Sequence, residues 1–288
     1  MGRTRRGALA AGLAGVGTLS VAGCLSSSES SGVSVLAAGS LQVALEERFR
    51  DQVDVDLTLE ARGSAACARM VREGIRDPDV LALADPVLFT GVAERYTAFA
   101  TNALVVAYNP EGAGGAIADA ERAYDPLLDA DLQLGRTDPE TDPLGYRTLF
   151  SLWLAEDHWG RPYSDALDRS QILQETALLS AFETGALDAA VAYRNMAVDH
   201  DVQFRELPME LNLSAPRFAD EYASQSYETP DGQSVTGAPI SYGATARSEG
   251  AAVADVFEEL VSADWLGTGF TVPGSYPTTA DVGADGSA

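Results

Sequence analysis

Short apolar segments rich in β-branched residues alternate with amphipathic helical segments along most of this chain. Helical spacing is clear where Leu41, Leu45 and Phe49 recur four residues apart, and a similar spacing recurs over residues 253–260. The alternation predicts an α/β fold with largely parallel sheets, in which ligands bind beyond the carboxyl ends of the strands. Strands are predicted at residues 33–38, 53–59, 79–84, 103–108, 132–135, 188–193, 202–207 and 239–246.

The last predicted strand lies far along the chain from the first three. If it extended the first sheet, the chain would cross twice between two lobes, and the pattern alone does not show that it does. The segment after Pro277 is predicted to be disordered.

The first residues have the layout of an export signal. Residues 1–23 combine a basic start, an apolar centre and a small-residue end, and Arg5 and Arg6 resemble a twin-arginine leader. Cys24 follows "VAG" as the lipidated cysteine of a lipoprotein would, and residues 24–32 then form a lipid-anchored tether. A membrane-spanning anchor is the alternative, but the apolar stretch is short and rich in Gly and Ala.

The charge balance is strongly acidic. The 288 residues include 43 Asp and Glu against 19 basic residues, all of them Arg, which gives a formal net charge of −24. This resembles the surface of proteins from extreme halophiles, where molar salt screens the self-repulsion. Nucleic-acid binding is excluded for lack of a basic patch. With Cys24 assigned to lipidation, Cys67 is unpaired and is expected to be a small buried residue.

Two Gly-Ser junctions follow predicted strands, Ser40 in "LAAGSLQ" and Ser64 in "EARGSAA". A helix start offers unpaired N–H groups beside the hydroxyl, which suits an anion, but serine is also a common N-cap. Spacing alone does not decide between these interpretations. A nucleophilic serine is disfavoured because the G-x-S-x-G elbow is absent, and because His158 and His200 both lie in charged, helix-like segments. Two isolated histidines also disfavour a zinc site.

Three further polar residues stand at the ends of predicted elements. Asp142 precedes Pro143 as an N-cap does, and Glu175 lies in a first helical turn, where the helix dipole favours a carboxylate. Tyr193 ends a predicted strand and is expected to be exposed. Spacing alone favours structural roles for all three residues.

A series of segments in order along residues 33–275 resembles the archaeal tungstate/molybdate-binding lipoproteins of ABC importers. The resemblance implies the two-lobed periplasmic-binding-protein type II architecture with a hinge cleft. Lobe 1 would comprise residues 33–100 and 239–280, lobe 2 would comprise residues 101–238, and residues 281–288 would be a disordered tail. The segments are "AAGSL", "ARGSAACARMV", "DVLALAD", "NALVVAYNP", "TDPLGYRTL", "LQETALLSAFETGALDAAVAYRNMAVDH" and "ELPMELNLS".

The resemblance also implies the ligand-binding residues. Ser40 and Ser64 would donate hydrogen bonds to the oxyanion, and Tyr193 would contact it from the second lobe. Asp142 and Glu175 would approach the tungsten or molybdenum itself.

The chain departs from the family pattern in two places. The family has a serine where this chain has Asn195, and the segment before Glu175 is shorter here.

Paired carboxylates are unsuited to sulfate, because sulfate only accepts hydrogen bonds and an ionised carboxylate donates none. Tungsten(VI) and molybdenum(VI) are hard centres that can add carboxylate oxygens as fifth and sixth ligands. Together with this chemistry, the resemblance implies a monomeric, non-enzymatic binding protein with no cofactor, which delivers tungstate or molybdate to a permease and its ATPase. The alternatives are a receptor for sulfate, thiosulfate or phosphate, a receptor that feeds a sensor, and a cell-surface hydrolase that uses Ser40.

Overall fold

The computed structural model describes residues 32–229, 232 and 234–283. The predicted export signal, Cys24 and the tether up to residue 31 lie outside the described residues, as do residues 284–288. No helix within the described ranges is long and apolar enough to cross a membrane.

Each predicted strand overlaps an observed one, because the β-branched apolar segments are the ones that become buried in the sheets. The strands are β1 (Val33–Ala38), β2 (Leu57–Arg62), β3 (Val80–Leu83), β4 (Arg95–Thr101), β5 (Leu104–Tyr108), β6 (Leu134–Arg136), β7 (Gln171–Ile172), β8 (Ala189–Tyr193), β9 (Phe204–Glu206), β10 (Ser226–Glu228), β11 (Ser234–Thr236), β12 (Ser241–Ala246) and β13 (Thr278–Asp281).

The helices lie between these strands and include short single turns. They are α1 (Gln42–Ala44), α2 (Ser64–Arg72), α3 (Ala116–Asp119), α4 (Pro143–Trp159), α5 (Glu175–Leu178), α6 (Ser180–Glu183), α7 (Arg194–Asp199), α8 (Ala219–Tyr222) and α9 (Ala251–Ser262). The predicted helix around Leu41–Phe49 is present with irregular winding: a 3₁₀ turn at Gly39–Leu41, then α1, then a π-helical stretch at Leu45–Phe49.

The larger strands form two sheets, one in each lobe. The first sheet has the order β13-β4-β12-β3-β1-β2, and the second has the order β7-β6-β8-β5-β9. The chain passes from the first sheet to the second between β4 and β5. It returns to enter the first sheet as β12, between β3 and β4. The last predicted strand therefore extends the first sheet, and the chain crosses twice between the two lobes.

Both sheets are mixed, so the prediction of largely parallel sheets is wrong. β1 pairs in parallel with β2 and β3, and β6 pairs in parallel with β7 and β8. β12 runs antiparallel to β3 and β4, because the returning chain enters the first sheet at the end where β1 and β3 finish. β5 likewise runs antiparallel to β8 and β9.

The prediction of disorder after Pro277 is wrong for the first residues of that segment. β13 pairs antiparallel with β4, and the Thr279 hydroxyl lies 3.0 Å from that of Thr97. An ion pair of 2.9 Å between Arg95 and Asp281 closes the end of the pair. These contacts are made with a strand 182 residues away, so the local sequence gave no sign of them.

One hydrophobic core runs through both lobes, with a smaller cluster on the other face of the first sheet. The smaller cluster contains Cys67, which is fully buried as predicted, with its sulfur 3.4 Å from the Ala37 carbonyl oxygen. Burial raises the pKa of this thiol, which is the condition of an unreactive cysteine.

Candidate functional site

The two Gly-Ser junctions lie at the same edge of the first sheet. β1 and β2 are parallel neighbours, and each ends directly before its Gly-Ser pair. Ser40 lies in the 3₁₀ turn and Ser64 is the first residue of α2, and both side chains are buried. Neither hydroxyl caps its helix. The N-cap interpretation therefore fails for both serines, and their hydroxyls are available for another role.

Asp142 is an N-cap, but capping uses only one of its oxygens. Its Oδ1 accepts a hydrogen bond of 2.9 Å from the Leu144 amide at the start of α4, with Pro143 in the first turn. Its Oδ2 is buried and has no hydrogen-bond partner among the described residues. The structural role expected from the sequence thus leaves one carboxylate oxygen free.

Glu175 is the first residue of α5 and is 3% exposed. Both of its carboxyl oxygens are buried without a hydrogen-bond partner in the described part of the chain, and so is the hydroxyl of nearby Thr137. With Asp142 Oδ2, the site holds three unpartnered carboxyl oxygens. Native structures rarely leave such groups unsatisfied, so these atoms point to a missing binding partner.

Each glycine of the Gly-Ser pairs faces one of the two carboxylates. A side-chain carbon on Gly39 would lie 2.5 Å from Glu175 Oε2, and one on Gly63 would lie 3.0 Å from the Asp142 Cβ and 2.4 Å from the Thr141 carbonyl oxygen. The Ala66 amide also donates to the Thr141 oxygen. The structure is therefore a closed one, in which the two lobes touch at the site.

Burial dominates the electrostatics of the carboxyl pair. It raises the pKa of Asp142 from 3.8 to about 7, and the Arg147 charge offsets this only in part. Burial and the neighbouring Asp142 raise the pKa of Glu175 well above its usual range, and the nearby Ser40 hydroxyl and the Gly39 and Ser40 amides offset this only in part. Two ionised carboxylates are thus unstable here unless a positive or electron-poor centre binds between them.

Tyr193 ends β8 and is fully buried, so its expected exposure is wrong. The closed lobes cover it, and its hydroxyl oxygen accepts a hydrogen bond of 2.7 Å from Arg147 Nη1. Burial raises the pKa of the Tyr193 hydroxyl well above its usual value, although Arg147 acts in the opposite direction. The hydroxyl therefore keeps its proton.

Arg147 is a site residue that the sequence reasoning missed, although it lies in the quoted "TDPLGYRTL" segment. It is buried on α4 and donates to the Ala84 carbonyl oxygen at 2.7 Å. Its Nη2 lies 3.1 Å from Asp85 Oδ2, which also accepts a 2.7 Å hydrogen bond from the Tyr146 hydroxyl. Asp85 follows β3 in the first lobe, so these contacts join the lobes beside the site.

A second missed group lies behind Ser40. The Tyr242 hydroxyl donates to Ser40 Oγ at 3.0 Å, and Asn102 Nδ2 donates to the Tyr242 oxygen at 3.1 Å. Asn195 Nδ2 donates to the Ser40 carbonyl oxygen at 2.7 Å, and Asn195 Oδ1 accepts from Asn102 at 2.7 Å. Asn195, the departure from the family pattern, therefore connects the two lobes through Ser40.

Two small cavities flank Glu175, each of about 140 Å³. The first is lined by Ser40, Asp199 and His200 among others, and the second by Thr137 and Asp142 among others. Both lie against the same carboxylate, so Glu175 forms the wall between them.

The histidines do not form a catalytic arrangement with Ser40. His158 pairs with Glu221 at the surface, and among the described residues no hydrogen bond joins His200 to Ser40. The described ranges likewise hold no group of three or more His, Cys, Asp or Glu side chains that would bind a metal ion.

A family model for bacterial extracellular solute-binding proteins matches residues 33–264. A putative ABC transporter molybdenum-binding protein from Haloferax volcanii is 50% identical over 288 residues, covering 96% of this chain and 94% of the relative. The molybdate/tungstate-binding protein WtpA from Thermococcus kodakarensis is 30% identical over 274 residues, covering 78% of this chain and 77% of the relative.

Solved structures support the same fold. The sulfate-binding protein SubI from Mycobacterium tuberculosis superposes with a TM-score of 0.54 at 13% identity, over 85% of this chain and 88% of that one. Peb3 from Campylobacter jejuni gives 0.54 at 9% identity, over 84% of this chain and 100% of that one. At these identities the similarity concerns the fold alone, and it confirms the predicted two-lobed α/β architecture.

Proposed function

Because the chain belongs to the bacterial extracellular solute-binding protein family, we propose that it captures tungstate or molybdate outside the cytoplasm and delivers it to an ABC permease. The observation that carries this proposal is the set of three buried carboxyl oxygens on Asp142 and Glu175 that lack a hydrogen-bond partner among the described residues. The names of the relatives from Haloferax volcanii and Thermococcus kodakarensis support the same class of ligand.

The unpartnered oxygens favour a ligand with an electron-poor central atom. Once the carboxyl groups are ionised they only accept hydrogen bonds, and the oxygens of sulfate also only accept, so sulfate would leave like charges facing each other without water. Tungsten(VI) and molybdenum(VI) can instead take a carboxylate oxygen as a further ligand. In this proposal Asp142 Oδ2 and Glu175 bind the metal, while Ser40, Ser64 and Tyr193 donate to the oxo groups.

Ligand capture is a hinge closure between the two lobes, with residues 33–100 and 239–280 moving against residues 101–238. The carboxylates lie on the second lobe and the serines on the first, so only the closed state brings both sets to the ligand. Gly39 and Gly63 support this because each leaves room for the opposite lobe at the point of closest approach.

Phosphate is the second candidate, and the same carboxylates favour it over sulfate and thiosulfate. Hydrogen phosphate carries a proton that it can donate to an unpartnered carboxylate, which sulfate lacks at neutral pH. A phosphate site would therefore also use Asp142 or Glu175, but as hydrogen-bond acceptors.

We also propose the setting in which the protein works. It would be exported by the twin-arginine leader, held at the outer face of the membrane by lipid on Cys24, and active as a monomer with a permease and its ATPase. No catalytic step is part of this function. The acidic, lysine-free composition supports adaptation to high salt.

Calorimetric titration of residues 33–288 at multimolar salt with tungstate, molybdate, phosphate and sulfate tests the proposal. Tight one-to-one binding of tungstate and molybdate, with weak or absent binding of phosphate and sulfate, is expected. Preferential binding of phosphate would replace it with the second candidate. Equal binding of sulfate and tungstate would contradict the role given to the carboxylates.

A further inference from the structure

The hydroxyl groups of Ser40, Ser64 and Tyr193 share one feature: each oxygen already accepts a hydrogen bond from a neighbouring donor. Ser64 Oγ accepts from the Ala84 amide at 3.0 Å, and the Tyr193 oxygen accepts from Arg147. A backbone N–H and a guanidinium have no lone pair to offer in return. The protons of Ser64 and Tyr193 therefore remain available for another acceptor.

Ser40 differs because its donor, Tyr242, is itself a hydroxyl that could accept instead. Asn102 settles the direction. The Ala103 amide donates to Asn102 Oδ1 at 2.9 Å, which fixes the side-chain amide so that its Nδ2 faces Tyr242. The Tyr242 oxygen thus accepts one hydrogen bond, and within the described residues its own hydroxyl donates to Ser40 Oγ.

We propose that Tyr242, oriented by Asn102, is a positioning residue that makes Ser40 a hydrogen-bond donor to the bound oxyanion. This inference rests on the proposed function. Each group donates a hydrogen bond to the next: Asn102 to Tyr242, Tyr242 to Ser40, and Ser40 to an oxo group of the ligand. Tyr242 does not itself contact the ligand in this arrangement.

This relay, the chain of hydrogen bonds from Asn102 through Tyr242 to Ser40, makes the site selective for ligands whose atoms accept hydrogen bonds. A hydroxyl in water can turn to donate or to accept, and fixing it as a donor before the ligand arrives removes that reorganisation from the binding step. Asn102, Tyr242 and Ser40 are all buried, at 3%, 0% and 3% exposure, so water does not compete for these hydrogen bonds. An oxyanion with only acceptor oxygens, such as tungstate, matches this arrangement.

A double-mutant cycle in tungstate binding tests the relay. Tyr242→Phe keeps the ring that packs against Phe270, with centroids 5.4 Å apart, and removes only the hydroxyl. We expect it to weaken binding about tenfold, the effect of one hydrogen bond. In a Ser40→Ala background the same change is expected to have less than a twofold effect, because the relay no longer has a hydroxyl to orient.

Tyr124→Phe is the matched control. Tyr124 is also fully buried, and its hydroxyl bonds Ser151 Oγ away from the site, so its replacement is expected to leave tungstate affinity unchanged. Equal effects of Tyr242→Phe on tungstate affinity in the wild-type and Ser40→Ala backgrounds would overturn the relay. So would an unchanged affinity in Tyr242→Phe. A purely structural role for Tyr242 predicts equal effects, because damage to packing does not depend on the Ser40 hydroxyl.

Neutron diffraction of the wild-type tungstate complex in heavy water gives a second test that needs no variant. The deuterium of Tyr242 is expected toward Ser40 and that of Ser40 toward the ligand, and the reverse orientation overturns the relay. A wild-type protein that binds neither tungstate nor molybdate contradicts the proposed function. Wild-type binding with an additive mutant cycle contradicts the relay alone.

Discussion

The carbonyl oxygen of Thr141 lies only 2.4 Å from the position that a side-chain carbon on Gly63 would occupy. This contact joins the two lobes beside Asp142, and the obstacle is backbone, which cannot move aside as a flexible side chain can. The glycine next to Ser64 is therefore required for full closure of the site.

Gly63→Ala is predicted to impair closure without unfolding either lobe. We expect tungstate affinity to fall about a hundredfold, since ligands from the second lobe no longer reach the oxyanion. Calorimetry measures the affinity, and small-angle scattering measures the decrease in radius of gyration on binding. Gly274→Ala is the control, because nothing lies within 4 Å of a side-chain carbon there. Wild-type affinity and compaction in Gly63→Ala would refute the close-approach argument.

Asp142→Asn separates the capping role of Asp142 from its role toward the metal. Asparagine is as good an N-cap as aspartate, so thermal stability is expected to stay near wild type, whereas Asp142→Ala is expected to lose about 1 kcal/mol. Tungstate binding is expected to fall at least about a hundredfold in both, because a neutral amide is a poor ligand for a hard metal centre.

Glu175→Gln is expected to lose affinity in the same way, and Glu183→Gln, on the exposed part of α6, serves as the control for a lost charge. Calorimetry and thermal unfolding of the four variants give all of these quantities. Normal tungstate binding by Asp142→Asn and Glu175→Gln would mean that the carboxylates are only structural.

The raised carboxyl pKa values predict how pH affects the unliganded protein. In the closed state the pKa of Asp142 is about 7, against an ordinary 3.8 when the cleft is open to water. The closed state therefore binds more protons between about pH 4 and pH 7, and the free energy of closure becomes less favourable as pH rises through that range. The raised pKa of Glu175 acts with the same sign.

Small-angle scattering without ligand checks this dependence. The radius of gyration is expected to be larger at pH 8 than at pH 5, and the double variant Asp142→Asn with Glu175→Gln is expected to remove the difference. A wild-type radius that does not change with pH, or one that decreases as pH rises, would contradict the electrostatic account.

Asp85→Asn is predicted to shorten the lifetime of the complex. The ion pair between Asp85 and Arg147 and the hydrogen bond from Tyr146 form between lobes, so they stabilise the closed state after the ligand has entered. We expect the dissociation rate of tungstate to rise about tenfold or more while the association rate changes little. Stopped-flow displacement measures both rates.

Asp125→Asn provides a matched control within one lobe. Asp125 also accepts from a tyrosine and an arginine, Tyr163 at 2.7 Å and Arg161 at 2.9 Å, but both partners lie in the same lobe. Its replacement is expected to leave the dissociation rate unchanged. Equal effects of the two substitutions would indicate general destabilisation instead of a lost contact between the lobes.

The sequence predicted the parts of this molecule that depend on local pattern. β1 and β2 end at Gly-Ser pairs, which is visible in the order of residue types, and the ordered motifs predicted the family correctly. β13 and the relay behind Ser40 were not predictable in this way. Tyr242 lies 202 residues from Ser40, and Asn195 lies 155 residues from it. Such pairs arise only from the path of the chain between the lobes, which the strand pattern left undecided.

X-ray absorption spectroscopy of the tungstate complex at the tungsten edge tests the central claim most directly. If Asp142 and Glu175 bind the metal, the spectrum will show short oxo bonds together with a second shell of longer tungsten–oxygen bonds, and Asp142→Asn will lose part of that second shell. A wild-type spectrum identical to that of free, four-coordinate tungstate would contradict the account, because the carboxylates would then not touch the metal.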